Sequence, residues 1–196
     1  MNAPDPGEQD AHDMARLTTG DDAGLNALMD RHAERLFRYL LRQLNNETEA
    51  ADLAQETFVR VYHHRHRFQP ERSFSTWLYT IATNLLRDRL RWRRRRPQVS
   101  LDADDEETGA FKDVLRDSAP SPSDQTDANE RALAVRKAVS SLPDDLRTAV
   151  ILSEYDGLPH AQIAAVLNCS AKAVESRLYR ARAHLRRRLQ SLLRTE

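Results

Sequence analysis

Gly157-Leu158-Pro159-His160-Ala161-Gln162-Ile163-Ala164-Ala165-Val166-Leu167-Asn168-Cys169-Ser170-Ala171-Lys172-Ala173-Val174-Glu175-Ser176-Arg177-Leu178-Tyr179-Arg180-Ala181-Arg182 is the stretch that decides the fold. It reads as helix, tight turn, helix. Ile163, Ala164 and Leu167 give the first helix a buried face, and Ala164 is small, as two closely crossing helices require. Asn168 stands where the turn calls for a left-handed residue, a conformation Asn tolerates. Ser170 is a credible N-cap for the second helix. Val174, Leu178 and Leu185 then point inward, which leaves Lys172, Glu175, Ser176, Arg177, Arg180 and Arg182 to a DNA groove. A recognition helix presents its N-terminal side chains to base edges while neighbouring arginines neutralise phosphates. The competing reading is a plain helical hairpin with a basic surface. The Asn turn, the Ser cap and eight basic against two acidic residues over 170–196 favour DNA, without saying which DNA.

Two further helices precede this unit. One runs from about Asn129 to Ser141. The other opens at Leu142-Pro143-Asp144-Asp145, where proline suits a first turn and the aspartates complement the helix dipole, and continues through Leu146, Ala149, Val150 and Leu152 to about Tyr155. Further upstream, residues 98–129 read as a flexible linker. They are rich in Asp, Glu, Ser and Pro (Asp102, Asp104, Asp105, Glu106, Glu107, Pro120, Pro122) and too poor in apolar periodicity to fold alone.

Before the linker stand three amphipathic patterns. Leu25, Leu28, Met29, Leu36, Phe37, Leu40 and Leu41 mark a helix over 24–44 that Asn45-Asn46 breaks. Ala50, Leu53, Phe58, Val61 and Tyr62 face inward on a second, from Glu47 to about Arg65. The third follows Gln69-Pro70 and carries Phe74, Trp77, Leu78, Ile81, Ala82, Leu85 and Leu86 at i, i+3, i+4, i+7, i+8, i+11, i+12, a single-face signal. It ends in Arg89-Leu90-Arg91-Trp92-Arg93-Arg94-Arg95-Arg96, and Pro97 stops it. The fold class is therefore all-α. An acidic arm (1–23) leads into a helical bundle (24–97), which the linker (98–129) joins to a helix-turn-helix domain (130–196).

Thirty basic residues balance thirty acidic ones, but the charges are segregated. Residues 60–97 hold eleven basic and two acidic residues, whereas 98–130 hold two basic and ten acidic. Two basic blocks separated by an acidic one imply two polyanion-binding surfaces and a linker that avoids the polyanion. The linker's negative charge is expected to cover a basic face and keep the free chain off DNA. No apolar run approaches the roughly 18 residues of a membrane span. Met1–Asp22 lacks an export signal, and the single cysteine, Cys169, suits a reducing cytoplasm.

Four motifs carry a resemblance: Asp52-Leu53-Ala54-Gln55-Glu56-Thr57-Phe58; Phe74-Ser75-Thr76-Trp77-Leu78-Tyr79-Thr80-Ile81-Ala82-Thr83-Asn84; Leu142-Pro143; and Ala173 to Arg182. In this order the chain resembles the extracytoplasmic-function (ECF) sigma factors, the compact group of the sigma-70-type bacterial family. The resemblance covers residues 25–97 and 130–190. It implies that the first block binds core RNA polymerase and melts the −10 promoter element, and that the second reads the −35 element as duplex. It also implies a response to stress or envelope signals and an anti-sigma factor as a further partner. Asp52, Gln55 and Glu56 share one polar stripe opposite Leu53 and Phe58, a docking face for polymerase or a solvated stripe. For the −10 element the resemblance points to Phe68, Ser73, Thr76, Trp77, Thr80, Asn84, Arg87 and Arg91. A melted base needs a pocket that offsets a few kcal/mol of unstacking; the segment Phe68–Thr76 would receive it. Asn84 would bond a base edge, and Arg87 to Arg96 would track the backbone. Trp77 lies on the apolar face, so core packing and stacking on DNA both stay open. The −35 set is Ser170, Lys172, Glu175, Ser176, Arg177, Arg180 and Arg182. Glu175 departs from the family, which commonly carries Lys there; a carboxylate cannot serve a phosphate but can accept from a cytosine amino group.

His63, His64 and His66 raise a metal site, but no carboxylate or Cys follows at ligand spacing and Arg60, Arg65 and Arg67 disfavour a cation. No metal, cofactor, small-molecule substrate or catalytic set is expected. The alternatives are a conventional helix-turn-helix regulator acting on duplex operators, and an anti-sigma or adaptor protein, which should lack one or both DNA-facing helices.

Overall fold

A computed structural model describes residues 6–95 and 122–190, and within them every regular element is a helix. Most of the acidic linker, with Arg96 and Pro97, falls outside the described residues.

The first unit is built on α2 (Ala23–Leu44), α3 (Glu47–His63) and α4 (Phe74–Arg95), with a 3-10 turn at Arg65–Arg67. The Asn45-Asn46 pair both stops one helix and starts the next. Asn45 is left-handed at φ 50°, and the side chain of Asn46 accepts the Glu49 N–H. Leu28, Leu36 and Leu40 of α2 pack with Leu53, Phe58 and Val61 of α3 and with Phe74, Leu78, Ala82 and Leu86 of α4, all buried. Tyr39 closes the centre, its hydroxyl 2.8 Å from Thr83 Oγ1. Met29 does not join this core. It is 37 % exposed, because one residue past Leu28 the side chain has turned about 100° from the packed stripe.

The acidic arm is corrected by the structure. Pro6–Thr18 forms α1, which seals one side of α2 with Met14 and Leu17, both buried. Two of its acidic residues, Asp10 and Asp13, face inward onto cations. Arg31 Nε donates to Asp10 Oδ1 at 3.0 Å and Arg31 Nη2 to Asp13 Oδ2 at 2.6 Å, while His32 Nε2 lies 2.8 Å from Asp10 Oδ2. Burial pushes the Asp13 carboxyl up, but Arg31 and Arg16 more than offset this and hold it below the usual carboxylate range. The helices meet at Gly24, where a Cβ would sit 2.3 Å from the Asp13 carbonyl oxygen.

The second unit comprises α5 (Pro122–Ser140), α6 (Asp144–Val150), α7 (His160–Leu167) and α8 (Ala171–Arg188). Helix α5 starts seven residues before the position read from the sequence. Helix α6 runs on into a π-helical turn, Ile151–Tyr155, so the sequence's single helix to Tyr155 changes its winding midway.

The two units are docked. Tyr79 Oη of α4 donates to Asp156 Oδ1 at 2.9 Å, and Arg35 Nη2 of α2 donates to the Asp156 carbonyl at 2.9 Å. Gln43 Nε2 donates to Thr148 Oγ1 at 3.3 Å and receives Arg147 Nε on its own oxygen at 3.3 Å. Arg42 lies 4.4 Å above the Tyr155 ring.

Candidate nucleic-acid interface

The helix-turn-helix is assembled by local backbone chemistry. Asn168 ends α7 at φ 52°, ψ 54°, and the Cys169 N–H returns to the Ala164 carbonyl at 2.9 Å. Ser170 Oγ accepts the Ala173 N–H at 3.2 Å. Val174, Leu178 and Ala181 anchor α8 while Ser170, Lys172, Glu175, Ser176, Arg180 and Arg182 are exposed. Arg177 is half-buried instead. Its guanidinium donates to Cys169 Sγ at 3.0 Å and reaches Asp145 Oδ2 at 3.4 Å. Arg182 Nη2 donates to Glu154 Oε1 at 2.8 Å. Each of these arginines is partly neutralised by its carboxylate, which a competing anion would have to displace. Tyr179, 76 % exposed, shares this outer face with Lys172, Glu175 and Ser176. Its i+3 and i+4 spacing from those residues was the signal that could have added it to the sequence-derived set.

Ser73, just before α4, and Trp77, Thr80, Asn84, Arg87 and Arg91 on it follow i, i+4, i+7, i+11, i+14, i+18 and so share one stripe. Asn84 and Arg91 are exposed, and Trp77, Thr80 and Arg87 are half-buried. Trp77 packs 5.4 Å from the Phe68 ring and 6.2 Å from Phe74, which itself is buried. These three rings pin the loop between the 3-10 turn and α4, and one edge of Trp77 stays open. Thr76 lies a residue off the stripe and is half-buried beside Trp77.

Asp52, Gln55 and Glu56 are all exposed on α3, opposite buried Leu53 and Phe58. Glu56 is bridged by Arg60 at 2.8 Å. Asp52 and Glu56 also line an open groove with Arg89, Arg91 and Trp92 of α4, so the acidic stripe and the end of the basic stripe meet in one cleft. Among the described residues no three His, Cys, Asp or Glu side chains converge as metal ligands.

The family model for Sigma-70 region 2 matches residues 28–96, and that for Sigma-70, region 4 matches residues 132–185. The chain is 35 % identical to the RNA polymerase sigma-H factor of Pseudomonas aeruginosa, over 95 % of this chain and 97 % of that one. It is 34 % identical to the ECF RNA polymerase sigma factor SigW of Bacillus subtilis, over 91 % and 96 %. The chain belongs to the ECF sigma factors. Among solved structures, this sigma factor superposes on CnrH in complex with the cytosolic domain of CnrY with a TM-score of 0.67 and 26 % identity, covering 96 % of this chain and 99 % of that one. It shares its fold with the sigma factor RpoE of Bartonella quintana, solved with the anti-sigma factor NepR, at a TM-score of 0.64 and 22 % identity over 84 % and 96 %. The region 2 match takes in α2 from residue 28 with all of α3 and α4, and the region 4 match takes in α7 and α8 as far as residue 185 of this sigma factor. No described helix is long and apolar enough to cross a membrane.

Proposed function

We propose that the chain directs promoter-specific transcription initiation through three surfaces and performs no catalysis of its own. Asp52, Gln55 and Glu56 dock core RNA polymerase. The α4 stripe from Ser73 to Arg91, with Phe68 and Thr76 at its entrance, holds the melted −10 element, and α8 reads the −35 duplex from Ser170 to Arg182. One observation carries the reading: the amide, hydroxyl and guanidinium groups of α4 form a single stripe beside a ring cluster, on a helix outside the helix-turn-helix. A regulator of duplex operators needs no such second surface. The acidic face of α3 beside it suits a basic patch on a large partner. The site of action is the cytoplasm, where core polymerase works, and an anti-sigma factor is a further partner, as NepR is of the sigma factor RpoE of Bartonella quintana.

Run-off transcription with core polymerase and a promoter panel tests this. Initiation should depend on the added chain and fall at least tenfold when Asp52 and Glu56 are both replaced by Arg. Initiation indifferent to the chain, combined with a footprint on duplex DNA by the chain alone, would instead establish a conventional helix-turn-helix regulator.

A further inference from the structure

The clasp between the two units centres on a carboxylate that the proposed function leaves unused. Asp156 is 7 % exposed. The π-helical turn aims it: its N–H reaches back to the Ile151 carbonyl at 3.2 Å, and the Leu158 N–H to Leu152 at 2.9 Å. Gly157 then reverses the chain at φ +65°, so Asp156 projects from the second unit onto the first. Groups from every neighbouring element face it. Tyr79 of α4 donates its hydroxyl to Oδ1 at 2.9 Å. From α2 come Arg35, whose guanidinium binds the Asp156 carbonyl, Arg42 seated over Tyr155, the buried Tyr39, and His32, which lines the same cleft. His32 itself is held by Asp10. Among the described residues no guanidinium bonds the carboxylate, and Oδ2 is buried without a hydrogen bond.

We propose that Asp156 is a proton-sensitive latch between the two DNA-reading units: protonated, it keeps them docked, and ionised, it loosens the clasp and lets them part.

Burial pushes the carboxyl up to about 6, against the pull of Tyr79, Arg42 and Arg35. A group whose value is raised in the docked form binds its proton more tightly there. Docking therefore strengthens as pH falls and weakens as pH rises through about 6. A rise from the usual carboxylate range to about 6 makes the docking constant roughly tenfold larger at about pH 5 than at about pH 7.5.

Small-angle X-ray scattering of the full chain across that pH range, at fixed ionic strength, reads the latch directly without polymerase or DNA. The radius of gyration of the wild type should grow as pH rises through about 6. Asp156→Asn, which mimics the protonated form and keeps an acceptor for Tyr79, should stay compact throughout. His32→Asn should keep the wild-type profile, with circular dichroism recording helical content for each chain. A wild type indifferent to pH overturns the proposal. So does an Asp156→Asn chain that still responds or is expanded throughout, and so does loss of the response in His32→Asn.

Discussion

Asn168 holds the helix-turn-helix together with one backbone conformation, φ 52°, that costs a Cβ-branched residue most. Asn168→Gly should leave thermal stability within a few tenths of a kcal/mol of wild type, and Asn168→Val should cost about 1–2 kcal/mol. Equal melting of the two variants would show that the turn is not strained at this residue. Both Asn168 and Ser170 were legible in the sequence because the information is local: the first depends on its own dihedrals, the second on an N–H three residues on. Arg177 was not. Its half-buried guanidinium is fixed by Cys169 and by Asp145, 32 residues away, and spacing along one helix carries no trace of that. Glu175 is exposed, and a carboxylate cannot serve a phosphate. Glu175→Lys should add one phosphate contact, steepening the log–log salt dependence of binding to a −35 duplex by about 0.9 while flattening sequence preference. An unchanged slope would place residue 175 outside the DNA footprint.

Helix α1 is the element the sequence concealed. Six acidic residues among the first 24 read only as an acidic arm, because the arginine that neutralises Asp10 and Asp13 lies 21 and 18 residues downstream. Met14 and Leu17 supply a buried face too short to register as periodicity. Helix α4, by contrast, was legible over its described length, since its apolar positions repeat over several turns. Two outcomes follow for α1. Gly24→Ala forces a Cβ within 2.3 Å of the Asp13 carbonyl and should destabilise the chain by about 1–3 kcal/mol, seen as a lowered urea midpoint. Asp13, held below the usual carboxylate range by Arg31 and Arg16 against the effect of burial, contributes stability that is present above its unfolded value near 4 and lost as pH falls through the folded one. Asp13→Asn should therefore lower the midpoint at pH 7 and shrink its further loss below pH 4. A variant with the wild-type acid profile would remove Asp13 from that role.

At the scale of the whole molecule, the clasp and the proposed function pull in opposite directions. Elements named for positions −35 and −10 lie about 25 base pairs apart, or roughly 85 Å of duplex. A compact chain of 196 residues has a radius of gyration of about 16 Å and is roughly 40 Å across, so a docked pair cannot occupy both elements. The contacts that hold it closed, from Arg94–Asp144 to Arg35–Asp156, join residues 50 to 121 apart in sequence, which is why amphipathic patterns revealed both units and nothing of their docking. A form competent for both elements is then the undocked one, and every ligand of that form carries the cost of opening in its apparent affinity. Tyr79→Phe removes the hydrogen bond to the Asp156 carboxylate, and Gln43→Ala removes the bonds to Thr148 and Arg147. Neither side chain belongs to the α3 or α4 stripes, so the pair should weaken docking by about 2–4 kcal/mol without touching either surface. The double variant should bind core polymerase more tightly than wild type, by a factor that approaches the inverse of the open fraction in the free chain. Titration of labelled core polymerase at about pH 5.5, where the Asp156 clasp is closed in the wild type, measures this, and affinity equal to or below that of wild type would mean that opening is not what polymerase has to overcome.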